Sequence, residues 1–319
     1  MADVAERTSA AASEEAAAGT PAVKTVELRK RFGRTVALAG LTMTVPRGEV
    51  FGFLGPNGAG KTTAVKLLLG LLTPTSGDGW LLGRRIGNLG ARRRIGYLPE
   101  LFRYQSWLTA GEVLALHCEL APLPRSSWKD EIRNVLETVG LTERAGDKVG
   151  TFSKGMQQRL GLGAALLGEP DLVFLDEPTS ALDPVGRHDV RAIIRGLASR
   201  GTAVFLNSHL LSEVEQVCDR VAVVDHGRVI AEGTMDQLLG GTAVRVRATG
   251  LEQADKNKLL TFGRIDDEGD QLTFASLDPE RVPELVAQIV ALGGRVYEVA
   301  PRHQTLEDRF LQLLEDEER

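Results

Sequence analysis

The clearest chemical pattern in this sequence is the stretch G-P-N-G-A-G-K-T, which runs from Gly55 to Thr62. Glycines at this spacing let successive backbone N–H groups turn inwards and hold phosphate oxygens at the N-terminus of a helix. The Lys61 ammonium would pair with the β- and γ-phosphates, and the Thr62 hydroxyl would bind Mg²⁺. We therefore predict a nucleotide-phosphate site formed by Gly55, Pro56, Asn57, Gly58, Ala59, Gly60, Lys61, Thr62 and Thr63.

A second pattern is the acid pair at the end of the apolar run L-V-F-L-D-E, Asp176 and Glu177. Doubly wound sheets hold their ligands at the carboxyl ends of buried strands, where this pair falls. Asp176 would hold Mg²⁺ through its water shell, and Glu177 would act as the base or orienter of a water in line with the γ-phosphate. A helix-capping turn is the alternative, and the phosphate loop upstream argues against it.

A third acid, Glu100, ends the stretch I-G-Y-L-P-E. Proline lacks an N–H and favours extended geometry in the residue before it, so Glu100 is predicted where a strand gives way to a loop. Taken alone, such a residue is a solvated loop glutamate, because acidic side chains are mostly exposed.

The elements that must position these residues indicate an α/β domain. Residues 23 to 49 alternate between apolar and polar, which predicts antiparallel strands. The stretch E-V-F-G-F-L predicts a buried strand before the glycine loop, and A-V-K-L-L-L-G-L-L predicts a helix after it. Two more apolar runs, D-L-V-F-L-D-E and T-A-V-F-L-N-S-H, predict parallel strands buried on both faces. The core sheet should therefore be mostly parallel.

Residues from about 101 to 152 have helical periodicity and should form a helical subdomain. Thr109 and Glu112 are spaced as a capping box for its first helix, and Ser127 is placed to cap the second.

The chain changes character after Gly240-Gly241, where strands and helices follow in the order βαββαβ. That order predicts a small α+β domain of the ferredoxin-like kind, without a catalytic cluster. We therefore divide the sequence into a disordered tail (1–22), a main domain (23–239) and an accessory domain (240–319).

Composition excludes several classes of protein. The sequence has 319 residues and is 43% hydrophobic, and none of its apolar runs reaches the roughly 18 residues that a membrane-spanning helix needs. The formal net charge of −5 argues against nucleic acid as a partner, and the local cluster of Arg84, Arg85 and Arg92 to Arg94 is better explained as a solvated or partner-facing surface. Cys118 and Cys218 lack disulfide or zinc spacing, which fits a reducing cytosol.

The segment T-F-S-K-G-M-Q-Q-R-L, from Thr151 to Leu160, completes a set of motifs that resembles the nucleotide-binding subunits of ABC transporters. It is similar to the Leu-Ser-Gly-Gly-Gln signature of that family, with Ser153 and Gly155 retained and Lys154 in place of a glycine. The resemblance covers residues 23 to 233. It implies the P-loop NTPase fold of this family, ATP and Mg²⁺ as ligands, and ATP hydrolysis coupled to transport.

The resemblance also implies roles for single residues. Ser153 and Gly155 would contact the γ-phosphate of ATP on the opposite subunit of a head-to-tail dimer. Asp183 lies in S-A-L-D, which resembles the loop that crosses the dimer interface. His209 matches the switch histidine that senses the γ-phosphate, and Phe32 lies where an aromatic ring stacks on adenine, although a buried strand-end phenylalanine is an alternative reading.

The Lys-Gly-Met form of the signature, the ending of I-G-Y-L-P-E and the trailing domain resemble one branch of the family, mostly ATPase subunits of bacterial exporters. The implied partners are a separate transmembrane permease and a second ATPase copy, which would place the chain at the cytoplasmic face of the inner membrane. In the family a glutamine usually stands where this chain has Glu100, and it touches Mg²⁺ and the attacking water. Glu100 would then couple nucleotide state to the permease.

Two other functions compete with this one. Soluble ATPases of similar fold act in translation or DNA repair, but they usually carry two cassettes, long coiled coils or zinc modules, and this chain has one cassette and neither insertion. A regulator that binds nucleotide without hydrolysing it is disfavoured by Glu177.

Overall fold

The computed structural model of the chain describes residues 19–121, 123–180, 182–239, 243–274, 277–302 and 305–317. By compactness the chain divides into Met1–Glu232 and Gly233–Arg319. The predicted tail lies outside the described residues up to position 18. The boundary predicted between residues 239 and 240 stays a prediction.

The elements up to Thr234 alternate between strands and helices, as the sequence pattern predicts. In chain order they are β1 (Val23–Phe32), β2 (Thr35–Val45), β3 (Val50–Leu54), α1 (Lys61–Leu68), β4 (Ser76–Leu81), β5 (Arg84–Arg85), α2 (Leu89–Arg92), β6 (Ile95–Leu98), α3 (Ala110–Leu120), α4 (Trp128–Thr138), α5 (Lys154–Leu166), β7 (Leu172–Asp176), α6 (Pro184–Ser199), β8 (Ala203–Asn207), α7 (Leu211–Val217), β9 (Arg220–Asp225) and β10 (Arg228–Thr234).

Two sheets organise this unit. The first is antiparallel, with the strand order β2-β1-β4-β5. The second has the order β10-β9-β3-β8-β7-β6, and the pairs β9/β3, β3/β8, β8/β7 and β7/β6 are parallel. Because β3, β8 and β7 are neighbours, the loops after their carboxyl ends meet at one edge of the sheet. This edge is where the sequence predicts the nucleotide.

The core of the parallel sheet is built from phenylalanines on its three central strands. Every residue of β3, β7 and β8 is buried, which confirms that these apolar runs are covered on both faces. Phe205 lies at the centre, with ring centroids 5.1 Å from Phe53 and Phe174 and 5.8 Å from Phe51. Offset aromatic contacts of this kind stabilise the sheet that carries the site.

The predicted helical region contains α3 and α4, and α5 packs against both. The capping box at α3 is confirmed: Thr109 N donates to Glu112 Oε2 (2.8 Å), and Glu112 N donates to Thr109 Oγ1 (3.2 Å). The predicted cap at Ser127 is wrong, because residues 125–127 form a 3₁₀ turn and the Ser127 hydroxyl donates to Pro124 O instead (2.9 Å). Gly163 lets α5 approach α4, since a Cβ there would lie 2.8 Å from Val135 Cγ1.

The second unit has its own antiparallel sheet and core. Its elements are α8 (Met235–Leu239), β11 (Ala243–Thr249), α9 (Gln253–Lys258), β12 (Ile265–Glu268), β13 (Gln271–Phe274), α10 (Val282–Ala291), β14 (Arg295–Arg302) and α11 (Leu306–Glu317). The strand order is β12-β13-β11-β14, and all three pairs are antiparallel. Buried apolar side chains, Phe274 and Leu285 among them, form its core.

Candidate nucleotide site

The glycine loop joins β3 to α1, as its sequence pattern predicts. Gly58 and Gly60 have φ values of +87° and +100°, which side chains other than glycine rarely adopt. A Cβ on Gly60 would also lie 2.4 Å from Ala37 O, on β2. These two glycines therefore permit the backbone path that leads from β3 into the first turn of α1.

Lys61 is held against the loop that precedes it. Its Nζ donates to Gly55 O (2.6 Å) and to Pro56 O (3.1 Å). Burial lowers the pKa of Lys61, and the negative charges of Glu177 and Asp176 act in the opposite direction. The ammonium therefore lies within the field of both acids, at the N-terminus of α1, an end of a helix that favours anions.

Asp176 ends β7 and is 6% exposed. The carboxylate accepts a hydrogen bond of 2.6 Å from Asn207 Nδ2, on the neighbouring strand β8. Burial raises the pKa of Asp176, the Asn207 hydrogen bond lowers it, and the charge of Glu100 raises it again. A buried carboxylate with Lys61 in its surroundings is suited to a cation and its water shell.

Glu177 adopts a φ of +54°, which turns its side chain out of the strand path and towards the loop after β8. Its Oε1 accepts from the backbone N of His209 (2.9 Å) and lies 2.8 Å from His209 Nδ1. Its Oε2 lies 3.4 Å from Ser208 Oγ, and its backbone N donates to Asn207 O (2.9 Å). The carboxylate is thus only 7% exposed and is fixed by the loop that carries His209.

A contact that the sequence pattern does not predict holds the phosphate loop from outside. Gly227, in the turn between β9 and β10, donates its N–H to Ala59 O (3.0 Å) and accepts from Ala39 N (3.0 Å). Its φ is +75°, and a Cβ would lie 2.6 Å from Leu38 Cα. The turn joins neighbours in sequence, whereas its contact with residues so distant in sequence could not be read from the pattern.

The residues of the signature segment lie together around a cavity of their own. Ser153 caps α5 by accepting from Met156 N (3.2 Å), and Asp183 caps α6 by accepting from Gly186 N (2.7 Å). With Gly155 they line a cavity of about 390 Å³, which none of the phosphate-loop residues lines. Ala181, in the predicted crossing loop, lies outside the described residues. One chain therefore carries the two halves of the predicted site in separate places.

Phe32 and Glu100 complete the predicted set. Phe32 ends β1 and is 48% exposed, so the alternative of a buried strand-end phenylalanine is wrong. Glu100 is exposed in the loop after β6. Burial raises the pKa of Tyr97, and the charges of Asp176 and Glu100 raise it further, so Glu100 lies close enough to act on the acid edge of the sheet.

Comparison with known proteins agrees with this geometry. Residues 38–180 match the family model described as ABC transporter. An uncharacterized ABC transporter ATP-binding protein of Nostoc sp. is 39% identical over 310 residues, which cover 94% of this chain and 92% of that protein. This chain belongs to the ABC transporter ATP-binding proteins.

This ABC protein is also similar to a named export protein and to a solved component of a transporter complex. Nod factor export ATP-binding protein I of Rhizobium sp. is 34% identical over 92% of this chain and 96% of its own length. The structure of cbiO1 from Clostridium perfringens, described as part of the ABC transporter complex cbiONQ, superposes with a TM-score of 0.62 at 27% identity. It covers 68% of this chain and 90% of the cbiO1 chain. The ABC chain is thus an ATP-binding subunit that hydrolyses ATP.

No helix in the described ranges combines the length and the apolarity that crossing a bilayer requires. The helices of this ABC subunit are short, and α6 (Pro184–Ser199), at 16 residues, is the longest helix of the described first unit. The similar cbiO1 chain is itself one part of a transporter complex.

Proposed function

We propose that this chain hydrolyses Mg-ATP as one of two paired copies and powers export through a separate transmembrane permease. The observation that carries the proposal is the fixed carboxylate of Glu177, held by His209 at the sheet edge where the phosphate loop and Asp176 also lie. The direction of transport is inferred from the similar Nod factor export protein. We place the paired copies at the cytoplasmic face of the membrane.

Hydrolysis follows from the roles that the geometry allows. Glu177 accepts a proton from water while the water oxygen attacks the γ-phosphorus, and the bond to the bridging oxygen breaks to release ADP. His209 holds the Glu177 carboxylate in place through its N–H and Nδ1, and Lys61 offsets the charge of the β- and γ-phosphates. The Phe32 ring, exposed at the end of β1, stacks on adenine.

The residues of this edge fit a magnesium ion. The Thr62 hydroxyl and the Asp176 carboxylate would offer the hard oxygen ligands that Mg²⁺ prefers. Asn207 Oδ1 is a buried acceptor without a partner among the described residues, and it lies on the side chain that contacts Asp176. The ion would offset charge on the phosphate oxygens during transfer.

The second copy supplies what the first lacks. Ser153 and Gly155 stand at the N-terminus of α5, where backbone N–H groups and the helix dipole favour an anion. We infer that this end meets the γ-phosphate bound to the opposite copy, with Asp183 close to the interface between them. A head-to-tail pair would then enclose two ATP molecules, so one copy alone should turn over slowly.

A groove on this chain is the proposed binding site for the permease. A cavity of about 620 Å³ lies between β6 and the helices α3 and α5. Leu89 and Leu120 line it while 68% and 79% exposed, and Arg92 and Arg93 line its margin. Burial lowers the pKa of His117, which also lines the groove, so this imidazole adds no charge to the groove near neutral pH. An amphipathic helix with an acidic end fits this combination.

We expect Leu120→Glu to weaken permease binding about tenfold or more, because it removes about 1.5–3 kcal/mol of apolar burial and places a charge in the groove. The test is co-purification of the chain with its permease. Leu71→Glu is the matched control, since Leu71 is 60% exposed but does not line the groove. Equal binding by both variants would exclude the groove as the docking site.

The function as a whole is tested by co-expression. The chain alone should remain in the supernatant after membranes are sedimented, and with its permease it should sediment with them and hydrolyse ATP there. A chain that associates with no permease from neighbouring genes would favour the soluble ATPase alternative.

Glu100 gives a separate prediction. Its charge attracts Mg²⁺ and repels the γ-phosphate, so Glu100→Gln should shift the Mg²⁺ concentration for half-maximal turnover by roughly three-fold to ten-fold. Glu100→Ala should in addition reduce transport per ATP, because it removes the side chain proposed to couple the two. Both are measured in the assembled transporter. Unchanged turnover, Mg²⁺ dependence and transport in both variants would show that Glu100 is a surface residue without a role in coupling.

We further propose that the second unit is a ferredoxin-like accessory domain. The order βαββαβ from β11 to β14, and an all-antiparallel sheet with the order β12-β13-β11-β14, support this assignment. The helices α8 and α11 flank this core in sequence.

A further inference from the structure

Asn207 is a polar residue in a strand where every other residue is apolar. It ends β8, whose five residues A-V-F-L-N are all buried, and it is itself only 4% exposed. Asparagine is depleted in strands, and a buried amide destabilises the fold unless it is hydrogen-bonded. Sequence choices that break such a local rule occur at functional sites.

The position of Asn207 connects the parts of the nucleotide site. In the sheet it pairs with Asp176 on one side and with Phe53, just before the phosphate loop, on the other. Its Nδ2 donates to Asp176 Oδ1 (2.6 Å), and its backbone O accepts from Glu177 N (2.9 Å). The orientation of the amide follows from chemistry, because an ionised carboxylate accepts hydrogen bonds and cannot donate them.

The other end of the amide is the unusual feature. Asn207 Oδ1 and Gln158 Nε2 are the two buried side-chain polar atoms without a hydrogen-bond partner in the described part of the chain. A buried acceptor without a partner destabilises the folded protein by about 1–3 kcal/mol. A donor that arrives with the ligand would remove that penalty. The Oδ1 atom belongs to the same side chain that fixes the metal-binding acid.

We propose that Asn207 is a positioning residue of the magnesium site, holding Asp176 through Nδ2 and accepting a hydrogen bond from a metal-bound water through Oδ1. This inference rests on the metal role proposed for Asp176. It assigns to Asn207 an outer-shell function: the amide restricts the carboxylate to one orientation and leaves its second oxygen for the ion's water. Outer-shell partners of this kind typically change metal affinity by 10-fold to 100-fold.

The experiment measures metal binding without turnover. Full-length protein in the Glu177→Gln background is loaded with one equivalent of ATP and titrated with Mn²⁺, and the free ion is read from its paramagnetic resonance signal. Asn207→Leu should weaken Mn²⁺ binding about ten-fold or more, while ATP affinity measured in EDTA stays within about two-fold. Asn207→Ser should weaken Mn²⁺ binding as well, and it decides the matter if the leucine variant does not fold.

Gln158→Leu is the matched control, because it also removes a buried amide with an unpartnered atom but lies on α5 and has no hydrogen bond to Asp176. It should leave Mn²⁺ affinity unchanged. Parent-like Mn²⁺ affinity in the Asn207 variants, or an equal loss of ATP affinity in EDTA, would overturn the inference. Asp176→Asn separates the two proposals: if it too leaves Mn²⁺ binding intact, the metal role of Asp176 fails; if it weakens binding while the Asn207 variants do not, only the role of Asn207 fails.

Discussion

Glu177→Gln should lower ATP turnover by about 10²-fold to 10⁴-fold while the protein still binds Mg-ATP and pairs with a second copy. The amide has nearly the shape of the carboxylate but cannot accept the proton of the attacking water. Turnover is measured as phosphate release from the permease complex, and ATP binding is measured by calorimetry. Under the proposed function an ATP-bound pair that cannot hydrolyse its nucleotide should persist, and it should be visible by size-exclusion chromatography.

Two controls sharpen this result. Glu137→Gln makes the same chemical change at an exposed position on α4 and should leave turnover unchanged. His209→Ala added to Glu177→Gln should cause little further loss, because both residues act through one carboxylate and effects of that kind are not additive. Undiminished hydrolysis by Glu177→Gln would remove Glu177 from the role of base.

Lys61→Ala should weaken ATP binding or turnover by about 10²-fold or more, because it removes the charge that offsets the β- and γ-phosphates. It also removes the hydrogen bonds to Gly55 O and Pro56 O that fix the loop. Calorimetry with ATP and steady-state phosphate release give the two effects separately.

A loss caused by unfolding must be distinguished from a loss of phosphate binding. Thermal denaturation without nucleotide measures the first, and Lys129→Ala, at an exposed position on α4, is the matched control. Near-normal binding and turnover in Lys61→Ala would contradict the phosphate-loop assignment.

The parts of the site that could be predicted are those determined by neighbours in sequence. The phosphate loop needs glycine at Gly58 and Gly60 because of local φ angles, and the strand and helix around it follow from periodicity. Asp176 and Glu177 were found because a buried strand ends at a charge. These features are encoded within a few residues, so a single sequence is enough to locate them.

The parts that were missed depend on contacts between distant segments. Asn207 is a polar residue that follows four apolar ones in the run A-V-F-L-N-S-H, and this change of residue type could have marked it as a candidate site residue. Its partner Asp176, however, is defined only by the sheet order. The contact of Gly227 with Ala59 likewise needs the turn after β9 to reach the phosphate loop. The Ser127 cap failed because a competing local turn uses its hydroxyl, a choice that the capping pattern does not encode.

The Gly227 turn has a consequence for the rate of nucleotide exchange. The phosphate loop is held by its own glycines, by Lys61 and by the backbone hydrogen bond from Gly227, so its shape is set when the chain folds. Binding to a preformed site does not wait for a loop to become ordered, and association rates fall when such a step is required. Entry of ATP should therefore be fast, and in the proposed pair the pace of the transport cycle should be set by the association and separation of the two copies.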